Sequence, residues 1–407
     1  MRHLSRWACG IALAVAVTAA SRGDELGDRL TPYVGTTIDL IELGTGRRFV
    51  RPTLERVVAK EGRVAAIRVR PEGQGAAVTL SLPGIARIVA GRETIHEAEA
   101  GGRSWSQLRG RRARETYEQG VAESRARMQA RGVEPWPTLS AADHARAVDE
   151  FRRFVELARQ ECPGLAVHET HEFLVASDIP APQLAPFLAD LDAMHDALCD
   201  LYGIPRGEPG WMGKCLVVAF LREDDYVAFE ARFMKADTRG TQGMCHQRSD
   251  GRVVTACHRG SDPAAFAHML VHETSHGFNH RWMSPQRLPN WLNEGIAEWV
   301  GARVVRGCDQ VPLKEARAAA FMRSTGGVGP AFVTADNIQP MQYGIASGMV
   351  RFLIARDAQA FASFVRAIKE GEAVDAALAD SFGGSLDDLL RSYGRSIGLP
   401  TLRGPAD

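Results

Sequence analysis

His272 and His276 stand four residues apart, with Glu273 directly after the first, in the run Val271-His272-Glu273-Thr274-Ser275-His276. On a helix that spacing puts both imidazoles on one face, one turn apart, where they can reach a single metal ion. Glu273 is then turned about 100° aside, close enough to contact a water on that ion. This is the geometry of a zinc hydrolase. Two histidines alone do not hold such a zinc: a third protein ligand has to arrive from elsewhere in the fold, with a fourth position left for water.

The elements that must position this run are legible around it. Ser261 or Asp262 can cap a helix that begins at Pro263, and nothing breaks the helix until Gly277, near its end. Upstream, residues 172–177 read as a strand, 181–202 as an amphipathic helix, 215–221 as a buried strand and 224–234 as a short helix. A hairpin around Asp250-Gly251 follows and leads into the metal helix, an α+β order. Val253-Val254-Thr255-Ala256, just before that helix, is expected to line a cleft and pair with an extended peptide. Cys245 and Cys257 flank the turn Ser249-Asp250-Gly251 and are expected to face each other as a disulfide.

Arg2, His3 and Arg6, an apolar run over residues 7–17 and the small residues Thr18-Ala19-Ala20-Ser21 have the layout of a secretory signal peptide cleaved near Ala19 or Ala20. The competing reading, an uncleaved anchor, meets the objection that the run is too short to span a bilayer, and no later stretch reaches that length. Residues 1–20 are therefore read as a signal, and the mature protein as exported, whether to the periplasm, the cell surface or the medium, with no stable membrane span. Six cysteines remain after the signal: Cys162, Cys199, Cys215, Cys245, Cys257 and Cys308. None shows C-x-x-C spacing, and six cysteines allow about fifteen connectivities.

Residues 30–100 read as a small all-β domain, with β-branched runs over 37–41 and 63–69 and a third candidate over 77–80. It is either a docking module or a structural appendage. Residues 101–160 form an arginine-rich helical stretch, broken at Pro135-Trp136-Pro137 and restarted at Ser140. It can be a linker or an inhibitory pro-segment. With 49 basic against 49 acidic residues the chain carries no global field, and most arginine runs are solvated helix faces, so no nucleic-acid partner is expected. At 407 residues and 45% hydrophobic, the chain can build more than one core.

The second stretch, Trp291-Leu292-Asn293-Glu294-Gly295-Ile296-Ala297-Glu298-Trp299, gives the first its context. Together they resemble the gluzincin metallopeptidases, most closely the peptidase MA-like branch, over residues 165–398. His171-Glu172-Phe173-Leu174-Val175 is similar to that group's opening strand, Gln342-Tyr343-Gly344 to Phe352-Leu353 to its downstream helix, and Ser381 to Leu386 to its closing helical segment. The resemblance implies a zincin-like catalytic domain, a mixed sheet with an active-site helix and a C-terminal helical part. It implies one Zn2+ per chain, held by His272, His276 and Glu294, with Glu273 as general base. It makes Glu298 the carboxylate that orients a metal histidine and Tyr343 a donor to the developing oxyanion. His268 and His280, which continue the four-residue spacing, are then ordinary helix-face histidines, because the ligand set is already complete. The substrate implied is a peptide or protein. Where the aminopeptidases of the group carry G-x-M-E-N, this chain has Gln242-Gly243-Met244-Cys245-His246, which points to an endopeptidase. The alternative is a zincin scaffold that no longer turns over and serves binding or assembly in the cell envelope. Oligomeric state and cleavage preference leave no mark in the sequence.

Overall fold

The computed structural model describes residues 25–43, 48–60, 63–72, 76–91, 93–100, 103–205 and 207–404. The signal-peptide reading of residues 1–20 lies outside them, as do parts of the turns after Lys60 and Glu72. The chain divides into two compact units, Met1–Glu115 and Thr116–Asp407. Its class is α+β: antiparallel sheets first, then a mixed five-stranded sheet with helices, then a helical region.

In the first unit a short helix, α1 (Glu25–Leu30), precedes seven strands: β1 (Leu40–Leu43), β2 (Arg48–Val50), β3 (Thr53–Lys60), β4 (Arg63–Arg70), β5 (Val78–Ser81), β6 (Ile85–Ala90) and β7 (Glu93–Glu97). They form two antiparallel sheets, in the orders β2-β1-β6-β7 and β3-β4-β5. The expected run over 37–41 becomes a strand only from Leu40, Thr37 making a lone bridge to Thr53. Ile38, Ile41, Leu54, Ile67 and Ile88 are buried in one small core. A two-residue ladder, β8 (Glu99–Ala100) with β9 (Arg103–Ser104), leads into the long helix α2 (Trp105–Ala130), within which the two units divide.

The second unit continues with α3 (Ala141–Glu161), β10 (Ala166–Glu169), β11 (Phe173–Ser177), α4 (Ala181–Tyr202), β12 (Cys215–Phe220), α5 (Glu223–Phe229), β13 (Gly243–Gln247) and β14 (Val253–His258). Ser140 caps α3 in a reciprocal box with Asp143, as its position after the proline pair predicts. The sheet order is β10-β11-β12-β14-β13, with β11, β12 and β14 parallel and both edge strands antiparallel to their neighbours. Every residue of β11 and β12 is buried, the mark of parallel strands covered on both faces. Phe173, Val175, Val217 and Val253 face one core with α4 and the later helices. Leu174, Leu216, Val218 and Val254 face the other, with Phe151 and Val155 of α3.

Two expectations are overturned here. β14 is an interior strand, paired with β12 on one side and β13 on the other, so it has no free edge for a peptide. The chain passes from β12 to the edge and returns inward through the hairpin, and this leaves β13 as the outer strand. All six described cysteines are free thiols. Cys245 pairs with Thr255 and Cys257 with Gly243, because the hairpin is centred on Asp250 and not on Gly251. That one-residue offset makes the two thiols diagonal neighbours, with Cα atoms ~7–8 Å apart, beyond the ~4.4–6.8 Å a disulfide spans.

After the sheet come α6 (Pro263–Arg281), α7 (Asn290–Val304), α8 (Gln310–Thr325), α9 (Tyr343–Arg356), α10 (Ala358–Lys369), α11 (Val374–Phe382) and α12 (Leu386–Ser396). Part of the arginine run is bound, not solvated. Arg127 donates to both oxygens of buried Glu370 (2.6 and 2.9 Å), and Arg131 donates to Glu372 (2.7 Å).

Candidate metal centre

The metal helix begins where its sequence sets it. Asp262 accepts from the backbone N–H groups of Ala264 and Ala265 at 2.9 and 3.1 Å, a cap that stabilises a helix by about 1 kcal/mol. Pro263 then occupies the first turn, where its missing N–H costs nothing. The helix runs straight through Gly277 to Arg281. Gly277 is needed for approach, since a β-carbon there would collide with Val253 and come within 3.1 Å of Cys245 Sγ. The helix therefore lies directly on the hairpin.

α7 presents Glu294 from the opposite side. Trp291, Leu292, Ile296 and Val300 are buried, and Gly295 lets the helix touch α9: a β-carbon on it would stand 2.6 Å from the Ala346 carbonyl oxygen. A side-chain relay ties α6 to α7. Tyr202 Oη donates to Asn279 Oδ1 (2.7 Å), and Asn279 Nδ2 donates to Asn293 Oδ1 (3.2 Å), next to Glu294.

The result is a buried group in which His272, His276 and Glu294 each offer a ligand atom, all within 4.8 Å of one another. Glu294 Oε2 lies 3.1 Å from His272 Nε2 and 3.5 Å from His276 Nε2. Two ligands each ~2.0–2.1 Å from a tetrahedral ion stand ~3.3–3.4 Å apart, close to the separations of Glu294 Oε2 from the two imidazoles. The electrostatics are also those of a cation site. Burial acts to depress the His276 imidazole, yet the Glu294 carboxylate facing it carries it up to about 9. Burial acts to raise Glu294, and the two imidazoles overcome it, holding that carboxyl far below the ordinary range.

Around this triad stand the remaining residues singled out from the sequence. Glu298, one turn beyond Glu294 and fully buried, has Oε1 3.4 Å from His272 Nδ1. Glu273 is half-buried, and no donor among the described residues engages its carboxylate. After burial, its charge is the next influence that pushes the Cys245 thiol up to about 12. The Tyr343 ring, at the start of α9, stacks on His272 with centroids 6.4 Å apart. Burial, then the Glu294 and Glu273 charges, push its phenol up to about 12, so it keeps its proton across the neutral range.

His268 and His280 stay out of the triad. His268 is buried with Nε2 3.5 Å from Glu298 Oε2, and burial, His272 and Lys314 bring it down to about 3, so it is neutral. His280 packs edge-on against Trp136. One neighbour was invisible in the sequence: Lys314 of α8, whose ammonium donates to Glu298 Oε1 at 2.5 Å and lies over the Tyr343 ring. Asn290, whose Nδ2 is 3.4 Å from Glu294 Oε1, was missed as well, although its place one turn before Glu294 could have flagged it.

The site is thus a buried His-His-Glu group, an HExxH pair joined by a carboxylate from a second helix, that could hold a metal ion and is consistent with a zincin-like site. No protein-family model matches the chain, and no curated protein matches it.

Proposed function

We propose that the chain is a zinc-dependent peptidase of the gluzincin type, an exported endopeptidase acting on peptide or protein substrates. The observation that carries the reading is the convergence of His272, His276 and Glu294, whose ligand atoms all lie within 4.8 Å of one another. A bound zinc supplies a positive charge for a carbonyl oxygen and a water acidic enough to react near neutral pH. Glu273, held by no donor, takes the proton of the attacking water and passes it to the leaving amine. Tyr343, protonated at neutral pH and beside His272, donates to the oxygen on which charge develops. Glu298 holds the His272 ring by its Nδ1.

The substrate strand adds to β13. It is the outer strand next to α6, and its unpaired backbone groups can receive an extended peptide. Glu273 lies near enough to this strand for its charge to act on Cys245 of β13. With Cys245 where a glutamate would hold a free amine, nothing on this strand selects for a chain terminus, which favours internal cleavage.

The test is digestion of an unbiased peptide library by the mature chain, with and without a chelator, alongside Glu273→Gln. Chelator-sensitive internal cleavage, abolished in a Glu273→Gln variant that keeps its metal, is expected. A metal-loaded wild type that cleaves nothing would instead support the silent binding or assembly scaffold.

A further inference from the structure

The C-terminal end of α6 borders a cavity of about 280 Å3, just below the ~300–1000 Å3 typical of small-molecule sites. Its walls include Tyr117 of α2, Trp136, Phe278, Trp282, Arg125 and Arg281. All belong to the second unit. The aromatic walls are fixed: Trp136 Nε1 donates to the His280 carbonyl (3.1 Å), and Trp282 stacks on Tyr202 with centroids 4.0 Å apart.

The two arginines are the anomaly. Arg127, on the same helix as Arg125, and Arg131, just past its end, are paired with Glu370 and Glu372. Arg125 instead makes one hydrogen bond, to the Trp136 carbonyl oxygen (2.8 Å), and Arg281 leaves its buried Nε with no hydrogen-bond partner. Arg281 lies 5.6 Å from the Trp136 ring centroid, a cation–π contact that does not neutralise it. Among the described residues no carboxylate comes within ion-pair distance of either guanidinium. Glu208, the only acid on the cavity wall, stands outside that reach. Burial and the nearby Arg125 pull the Arg281 guanidinium down to about 10. Lys369, fully buried close by, donates only to the carbonyls of His280 and Gln286. Partly buried cations left without a counter-charge carry a desolvation cost, and a fold that pairs the neighbouring arginines so closely retains these two unpaired.

We infer that this cavity binds a small aromatic carboxylate, its carboxylate gripped by Arg281 and Arg125 and its ring held among Trp136, Phe278 and Trp282. A guanidinium fork matches a carboxylate in two-point geometry, and the aromatic walls reject a bare hydrated oxyanion. The same chemistry occurs in a free aromatic acid and in the C-terminal phenylalanine of a peptide.

Trp136 and Trp282 make the site self-reporting. The mature, metal-loaded chain is titrated with 3-phenylpropionate, 3-phenylpropanamide, a tetrapeptide ending in phenylalanine with a free carboxylate, and inorganic phosphate. Tryptophan fluorescence and calorimetry follow binding, in wild type, Arg281→Met and Arg125→Gln. Saturable binding of 3-phenylpropionate is expected, about tenfold or more weaker for the amide and for Arg281→Met. Tighter binding of the tetrapeptide would identify a chain terminus as the natural source. The melting temperature of each variant shows that it is folded, and Arg125→Gln, on the half-exposed helix, serves if Arg281→Met is not. Binding of phosphate alone, equal binding of acid and amide, or full binding retained in both arginine variants overturns the inference, the last because it places the acid elsewhere, such as at the metal.

Discussion

Removing Lys314 strands a charge beside the metal site. Glu298 is fully buried; its Oε1 accepts from Lys314 at 2.5 Å, while its other neighbours, His272 Nδ1 and His268 Nε2, stand at 3.4 and 3.5 Å. In Lys314→Met the carboxylate keeps its burial and loses its one full counter-charge. Breaking a buried pair costs ~3–5 kcal/mol. The Lys314 side chain is 33% exposed, so water already shares its charge and the expected loss is smaller, about 2 kcal/mol. Glu298→Gln removes the charge itself, leaves a half-exposed lysine that water can solvate, and costs less. The double variant should then be no worse than Glu298→Gln alone, a coupling of about 2 kcal/mol in a double-mutant cycle measured by denaturant unfolding of the metal-free chain. In the same series Glu298→Gln should weaken zinc about 10–100-fold, as loss of a partner to a metal histidine does. A coupling below about 0.5 kcal/mol would refute the buried-pair argument, and unchanged zinc affinity would remove Glu298 from the site.

Gly295→Ala should destabilise the second unit by about 3 kcal/mol or more, because its β-carbon would meet backbone atoms of Ala346 that cannot swing away; calorimetric melting measures this, and a neutral result would contradict the helix contact. Lys369, brought down by burial and by Arg281 to about 7, titrates between that value folded and 10.5 unfolded. Over that window the unfolded chain binds the extra proton, so stability rises with pH, and below about pH 7 the full penalty is present. The difference between wild type and Lys369→Met in unfolding free energy should therefore shift in favour of wild type from pH 7 to 9, and a pH-independent difference would show that the lysine is ordinary. Glu273→Gln should lose hydrolysis by about a hundredfold or more while binding zinc as tightly as wild type; loss of the metal instead would make Glu273 a ligand.

Much of the second unit could be read from local pattern. The helix over 181–202 and the strand from Cys215 follow from periodicity and composition, and the Asp262-Pro263 start of the metal helix from capping chemistry. What the pattern could not carry was spatial order. β13 and β14 are consecutive in the chain, but only the parallel pairing of β14 with β12 decides which of them has a free edge, and that pairing joins residues far apart in sequence. The hairpin register was misread for a related reason: Ser249-Asp250-Gly251 marks a turn but not its centre, and one residue of offset separates Cys245 from Cys257. The His272–His276 pair was legible because both ligands sit on one helix. Glu294 came through the resemblance of its block, and its nearness to the histidines is a matter of two helices tied together through Asn279 and Asn293. Lys314 carries no motif; its role depends on α8 crossing near α7, so only the structure brings it to Glu298.

The most direct measurement is the metal content of the purified mature chain by elemental mass spectrometry, wild type beside His276→Gln and Glu294→Gln. The account predicts about one zinc per wild-type chain and near-complete loss of it in both variants, with secondary structure retained. A folded wild type that takes up no zinc when the ion is offered, or equal zinc in all three proteins, would contradict it.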